Sequence, residues 1–181
     1  MGDLRFERTD EMLQIYFMKL LAEMPFEQIS VSKLAKASKI DRTTFYAHYE
    51  NTYQLAEQLI DQHIDFIERV LKESSAQQQY DSRFDSYDYF NAELMSYLLK
   101  NRLEIQHLRQ LNFGLNSFNV KLHDLFATAY SRVFHLAKEE FSQYILTTLA
   151  MSNFDFILEK QRVPSKKEIK EGLSKMASYF S

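Results

Sequence analysis

The sequence predicts an all-α protein of about nine helices, and three observations carry that prediction. Apolar residues recur at three- and four-residue spacing through most of the chain, which is the periodicity of amphipathic helices. The 181 residues contain only three Gly and two Pro, fewer turn residues than a sheet-rich fold needs. No segment alternates apolar and polar residues as a strand does. The length suits one domain, or two small ones that share a core.

The periodicity places the helices along the chain in order. The first is expected from about Thr9, its N-cap, to Met24, where Pro25 stops it. A polar stretch over residues 73–86 favours a long loop or a poorly ordered linker. Ser165 and Glu168 form the pattern of a capping box at the start of the last helix. The predicted helices cover approximately residues 9–24, 30–38, 42–49, 51–72, 87–99, 103–111, 118–136, 139–160 and 166–180.

Charge and cysteine content restrict the class of function. The chain carries 22 Lys and Arg against 25 Asp and Glu, a net charge of −3. This balance argues against a uniformly basic protein that coats nucleic acid, but it permits a local basic patch. Cysteine is absent, which excludes disulfides, thiolate nucleophiles and thiolate metal sites. Neither a secretory signal nor an apolar stretch long enough to span a bilayer is visible, so we expect a cytoplasmic protein with no membrane contact.

A helix-turn-helix is predicted between Ser30 and Tyr49. Ser30 is a suitable N-cap for a first short helix, a tight turn covers residues 38–40, and Asp41 is a suitable N-cap for a second short helix. Four cations and the single carboxylate of Asp41 give this stretch a net charge of +3, which leaves −6 for the rest of the chain. The positive charge is therefore concentrated on the element shaped to enter a major groove. The four cations are Lys33, Lys36, Lys39 and Arg42.

Residues 29–51, ISVSKLAKASKIDRTTFYAHYEN, resemble the DNA-binding domain of the TetR family of bacterial transcriptional regulators. The run RTTFYAHY over residues 42–49 is the most specific part of the resemblance. It covers about the first sixty residues by motif, and the rest of the chain only by length and by an all-helical pattern that ends in two helices. The RTTFY form, with residues 99–102, is similar to the subgroup that includes the activator of dihydroxyacetone kinase genes in lactic acid bacteria.

The resemblance implies a domain organisation and a DNA-binding surface. A three-helix head over residues 1–50 would bind an operator, and a helical body over residues 51–181 would dimerise and regulate. Arg42 would contact guanine or phosphate, Tyr46 and His48 the DNA backbone, and the methyl groups of Thr43 and Thr44 thymine. The implied DNA-binding residues are Ser32, Lys33, Lys39, Arg42, Thr43, Thr44, Tyr46, His48 and Thr52.

Two of these positions depart from the family pattern, and others have a plainer interpretation. Thr52 stands where the family usually has a phosphate-binding Lys, and Lys39 stands at a turn position often filled by Gly. Phe45 and Tyr49 are more simply explained as core residues. Tyr46 would serve equally well as a packing residue, and Lys36 as part of a solvated helix face.

Aromatic residues in the second half of the chain favour either a helical core or an effector pocket between helices. The candidate pocket residues are Tyr97, His107, Phe113, Phe118, His123 and Tyr130. No His pair has metal-ligand spacing, and no nucleophile motif frames any Ser, so we expect neither a cofactor nor a metal and predict that the protein is not an enzyme.

The sequence leaves the regulatory partner open. The resemblance implies a homodimer that forms through the last two helices and binds a palindrome-like double-stranded operator. Residues 139–160 are apolar on more than one face, which fits such an interface. The protein would be a repressor controlled by a small-molecule effector, which binds the body and changes the separation of the two heads. Alternatively, the body binds a protein partner and the regulator activates transcription.

Overall fold

The computed structural model describes residues 4–78, 92–134 and 140–179. Over these ranges the fold is all-α with nine α-helices and no strand, which confirms the predicted fold class. Two single 3-10 turns, over Phe26–Gln28 and Gly114–Asn116, join helices. The α-helices are α1 (Leu4–Glu23), α2 (Val31–Ser38), α3 (Arg42–His48), α4 (Thr52–Gln78), α5 (Ala92–Lys100), α6 (Arg102–Leu108), α7 (Phe118–Phe134), α8 (Phe141–Lys160) and α9 (Lys166–Ser178).

The two largest differences from the predicted helix boundaries are in α1 and α4. Helix α1 begins at Leu4, so Thr9 lies inside it and not at its N-cap, and the Thr9 hydroxyl donates a hydrogen bond to the Arg5 carbonyl at 2.9 Å. Helix α4 continues six residues beyond the predicted end at 72, through residues predicted to form a loop. The remainder of that loop, residues 79–86, and the predicted helix start at 87 lie outside the described residues.

The chain forms two compact units. The N-terminal unit comprises residues 1–63 and 103–120, and the C-terminal unit comprises residues 64–102 and 121–181. The predicted division into a head (1–50) and a body (51–181) is a functional one, and it stays a prediction. Each unit has its own apolar core.

The core of the N-terminal unit is built around α1, α2, α3 and the start of α4. Leu13, Phe17, Leu34, Phe45 and Leu55 are fully buried there. Helix α1 packs on α2, and α2 packs on α3. The ring of Phe26 completes this core from the turn after α1, with its centroid 4.7 Å from that of Tyr53 and 5.2 Å from that of Phe113.

The core of the C-terminal unit is formed by α5, α7, α8 and the second part of α4. Helix α5 packs on α8, and the rings of Phe126 and Phe154 meet edge to face at 6.3 Å. Helix α9 begins with the predicted capping box, in which the Ser165 hydroxyl accepts from the Glu168 N–H at 3.2 Å and the Glu168 carboxylate accepts from the Ser165 N–H at 2.7 Å. No helix in the described part of the chain has both the length and the hydropathy of a membrane span.

Candidate nucleic-acid interface

Helix α2 begins and ends as its sequence indicates. The hydroxyl of Ser30 accepts a hydrogen bond from the Lys33 N–H at 3.2 Å, which confirms the predicted N-cap. Lys39 ends the helix in the left-handed conformation, with φ 57° and ψ 39°. The Ile40 N–H then donates to the Ala35 carbonyl at 3.0 Å, the long hydrogen bond of a Schellman ending. The chain therefore turns sharply and leads directly into α3.

Helix α3 places two aromatic side chains inside and leaves a polar face outside. Asp41 occupies the predicted N-cap position, but its side chain makes no capping hydrogen bond. Phe45 is fully buried and Tyr49 is 2 % exposed, which confirms the interpretation of both as core residues. The side chain of Tyr46, one position after Phe45, is 57 % exposed.

Most of the residues predicted to bind DNA lie on the surface of α2, of the following turn and of α3. This group brings three cations, two hydroxyl side chains and one phenol to a single helix-turn-helix segment, where Asp41 is the only acid between residues 30 and 49. Thr44 is half-buried between this surface and the core. The exposed members are Ser32, Lys33, Lys39, Arg42, Thr43 and Tyr46.

Two of the predicted residues are placed differently. The side chain of His48 is only 3 % exposed, because its ring stacks on that of Phe6 at 3.8 Å, and its Nδ1 lies 3.6 Å from an oxygen of Asp10. Thr52 is 8 % exposed at the start of α4. The His48 ring therefore packs against α1, and the DNA contacts implied for His48 and Thr52 stay predictions.

A hydrogen-bond network fixes the end of α3 to α1. The hydroxyl of Tyr49 donates to one oxygen of Asp10 at 2.5 Å, and the amide of Gln14 donates to the other at 2.9 Å and to the Tyr49 oxygen at 3.3 Å. Burial, together with the hydrogen bond to Asp10, raises the pKa of Tyr49 above its ordinary value. Tyr49 is therefore a neutral donor at physiological pH. Sequence reasoning missed this network, and the only local signal was the i, i+4 spacing of Asp10 and Gln14.

The six candidate pocket residues are divided between the two units. In the N-terminal unit, Phe118 is fully buried, Phe113 packs against Phe26 and Tyr53, and His107 is half-buried. Phe118 is a core residue by this criterion, as the plainer interpretation expects.

In the C-terminal unit, the three remaining candidates have separate surroundings. Tyr97 stacks on Phe66 with centroids 3.6 Å apart, and Tyr130 is 5 % exposed. His123 is exposed, with its Nδ1 3.5 Å from the carboxylate of Asp124. The packing of Tyr97 and Tyr130 therefore resembles that of core residues more than that of an open pocket.

The larger of the described cavities belong to the N-terminal unit. A groove of about 530 Å³ lies between α1 and α6, and a cavity of about 600 Å³ lies at the turn after α1. The cavity beside Leu125 and Ala129 in the C-terminal unit measures only about 20 Å³. Among the described residues, no three His, Asp or Glu side chains lie together in a way that could hold a metal ion.

Comparison of the chain with protein-family models, with curated proteins and with solved structures finds no match. The fold defines an all-α protein with a basic, surface-exposed helix-turn-helix segment.

Proposed function

We propose that the protein is a sequence-specific DNA-binding transcriptional regulator of the TetR type, with α3 as its recognition helix. One observation carries the proposal: a short helix with Arg42, Thr43 and Tyr46 exposed follows a tight turn in a segment of net positive charge, where Asp41 is the only acid between residues 30 and 49. A helix of this kind, with its polar side chains outward, fits the width of a DNA major groove.

The side chains divide into base-contacting and backbone-contacting groups. Arg42 lies in the first turn of α3, where its guanidinium can bind guanine O6 and N7 or a phosphate, and the methyl group of Thr43 can contact thymine. Lys33 and Ser32 lie in the first turn of α2, where main-chain N–H groups also favour a phosphate. Tyr46 contributes a hydroxyl for the DNA backbone.

Because Thr52 carries no charge, DNA binding should depend less on salt concentration. A cation at the start of α4 would neutralise one further phosphate, but Thr52 is uncharged and 8 % exposed. We therefore expect the logarithmic salt slope of binding to be smaller by about one unit than that of a protein with Lys at this position. The Thr52→Lys variant tests this comparison directly.

Selection of bound sequences from a random DNA pool, with purified protein at physiological salt, tests the proposal. We expect one palindromic motif with the wild type and none with the Arg42→Ala, Tyr46→Phe double variant. Arg132→Ala, which removes an exposed cation from α7, is the matched control and should keep the motif. The absence of an enriched motif with the wild type would contradict the proposal.

Helices α8 and α9 support a homodimer. Both present large apolar side chains to solvent in the single chain, and one helical head alone buries too little DNA for tight and specific binding. A two-fold pairing of these helices with those of a second copy would cover that surface. The exposed fractions are 77 % for Phe141, 53 % for Tyr144, 49 % for Ile145, 44 % for Leu173, 58 % for Met176 and 84 % for Tyr179.

Sedimentation tests the dimer. We expect the wild type to sediment as a dimer, and Ile145→Glu or Leu173→Glu to convert it to a monomer, because a buried unpaired carboxylate is costly. The control is Gln62→Glu, which adds the same charge to an exposed position of α4. A monomeric wild type, or Ile145→Glu and Leu173→Glu variants that both remain dimeric, would contradict the assignment.

Control by an effector completes the proposal. In the first form, a small molecule changes the separation of the two heads and relieves repression. In the second form, the body binds a protein partner and the regulator activates transcription. Among the described residues of the C-terminal unit, the cavity beside Leu125 measures about 20 Å³, which is room for no more than a water molecule. A thermal shift with a broad metabolite panel, in wild type and the Leu125→Trp variant, distinguishes the two forms.

A further inference from the structure

The groove between α1 and α6 is lined by both apolar and charged side chains. Ile15, Met18 and Leu103 are the larger apolar side chains, and Ile15 and Leu103 are 54 % and 60 % exposed. Glu11 and Glu104 also line the groove. Its volume of about 530 Å³ falls within the range of small-molecule sites. We propose that this groove binds a small amphipathic cation, an apolar body that carries one protonated amine.

The charge of the lining decides the class of ligand. Two carboxylates, Glu11 and Glu104, face one permanently charged cation, Lys19. The ammonium of Lys19 lies over the ring of Tyr16, 4.6 Å from its centroid, where the ring already stabilises it. An ammonium ligand therefore meets two acceptors beside apolar surface, which lowers the local dielectric and strengthens the attraction. A carboxylate ligand would instead meet net repulsion.

Two residues of the groove also contact the elements that hold the helix-turn-helix. Gln14 donates to Asp10 and to the hydroxyl of Tyr49, the residue that ends α3. The carboxylate of Glu104 lies 3.6 Å from Nε2 of His63 in α4. A bound ammonium competes for Glu104 and displaces Gln14, so it weakens both attachments. This second step depends on the proposed DNA-binding function, whereas the ligand site itself does not.

Three ligands that have the same alkyl group and differ in charge test the site. Octylammonium, octanol and octanoate share eight carbons and differ in charge, and their binding to the full chain is measured by calorimetry. We expect octylammonium to bind at least about fivefold more tightly than octanol, as one partly exposed ion pair allows, and octanoate to bind weakest. Equal affinities for the three, or no binding at all, would overturn the proposal.

Methyl NMR locates the bound ligand. The chain has seven Met residues, and Met18 lines the groove, whereas Met151 lies in α8 of the C-terminal unit. We expect octylammonium to shift the methyl signal of Met18 and to leave that of Met151 in place. The Met18→Leu variant assigns the signal. A shift confined to Met151 would place the ligand elsewhere and overturn the proposal.

Substitutions of the residues that line the groove provide a second test. Glu11→Gln and Glu104→Gln should each weaken octylammonium about fivefold and leave octanol unchanged. Ala22→Trp, at an exposed position of the lining, should fill the groove and abolish binding of both. Glu7→Gln, an exposed carboxylate of α1 outside the lining, is the matched control and should bind as the wild type does. Equal losses with Glu7→Gln would overturn the proposal.

The regulatory step has its own measurement. On a DNA fragment that the wild type has selected, saturating octylammonium should weaken binding at least about fivefold, a typical allosteric coupling. The Ala22→Trp variant should bind the DNA but not respond. If no DNA is selected at all, the proposed function fails while the calorimetric test of the groove stands. If DNA binds but octylammonium does not, the groove proposal alone fails.

Discussion

The substitution Tyr49→Phe removes one oxygen atom and, with it, the hydrogen bond between Tyr49 and Asp10. The ring of Tyr49 is 2 % exposed, and its hydroxyl donates to a carboxylate oxygen at 2.5 Å. In Tyr49→Phe the ring keeps its packing, and Asp10 keeps the hydrogen bond from Gln14 and an exposure of 24 %. The carboxylate is therefore not left without a partner.

These contacts determine how much the free energy of unfolding should fall in Tyr49→Phe. A hydrogen bond to a charged group contributes about 1.5–3 kcal/mol, and the part-exposed carboxylate places this one at about 1.5 kcal/mol, the lower end. For a chain of this size, that corresponds to a melting temperature lower by about 3–6 °C. The pH dependence has a defined sign, because the pKa of Tyr49 is raised in the folded state above the value of about 10 in the unfolded chain. The stabilisation is therefore complete below about pH 10 and is lost as the pH rises further.

Urea unfolding followed by far-ultraviolet circular dichroism, at one fixed protein concentration and from pH 7 to 11, measures both effects. The matched control is Tyr46→Phe, the same change at a side chain that is 57 % exposed, and it should alter the free energy of unfolding by less than about 0.5 kcal/mol. The difference between wild type and Tyr49→Phe should be constant to about pH 9.5 and shrink above about pH 10. Equal effects of the two substitutions, or a difference that does not change with pH, would refute the reasoning.

Three further predictions follow from the described contacts. Lys39→Gly should raise the free energy of unfolding by about 1 kcal/mol in urea titrations, because Lys39 has φ 57°, a left-handed conformation that glycine adopts without strain. Lys36→Gly, inside α2, is the control and should lower the free energy of unfolding by about as much. Hydrogen bonds, chiefly from Arg162 and also from Ser165, hold the pKa of Glu168 well below its usual range. The ionised Glu168 therefore stabilises the folded state above about pH 4.3, and this stabilisation is lost as the pH falls further. Thermal melts between pH 6 and pH 2.5 should accordingly fall more steeply in wild type than in Glu168→Gln, and an equal fall would disprove this. Phe118→Ala, at a fully buried position, should cost about 3–5 kcal/mol of unfolding free energy.

Features fixed by neighbours in the sequence could be predicted. The caps at Ser30, at Ser165 and at Asn51, whose side chain accepts from the Gln54 N–H at 2.9 Å, depend on residues three positions apart. The continuation of α4 could not be predicted from apolar spacing, because polar residues carry it. An ion pair between Arg69 and Glu73 at 3.1 Å, one turn apart, supports that extension.

Features fixed by distant residues could not be predicted. The spacing of α3 correctly separates the buried Phe45 from the exposed Tyr46. The burial of His48, however, depends on Phe6, more than forty residues earlier, and periodicity within α3 carries no information about α1. Residue type alone indicates the candidate pocket residues, and residue type carries no information about which unit a side chain joins.

The contact between Phe26 and Phe113 limits how the helix-turn-helix could be moved between proteins. The N-terminal unit is assembled from two separate stretches of chain, 1–63 and 103–120, and the ring of Phe26 packs against a ring from each of them. A fragment that ends after α3 would expose this ring to water, and α3, with seven residues, is too short to persist unsupported. Recombination at residue 50 would therefore transfer an incomplete unit, and a functional chimera would have to inherit the second stretch together with the first.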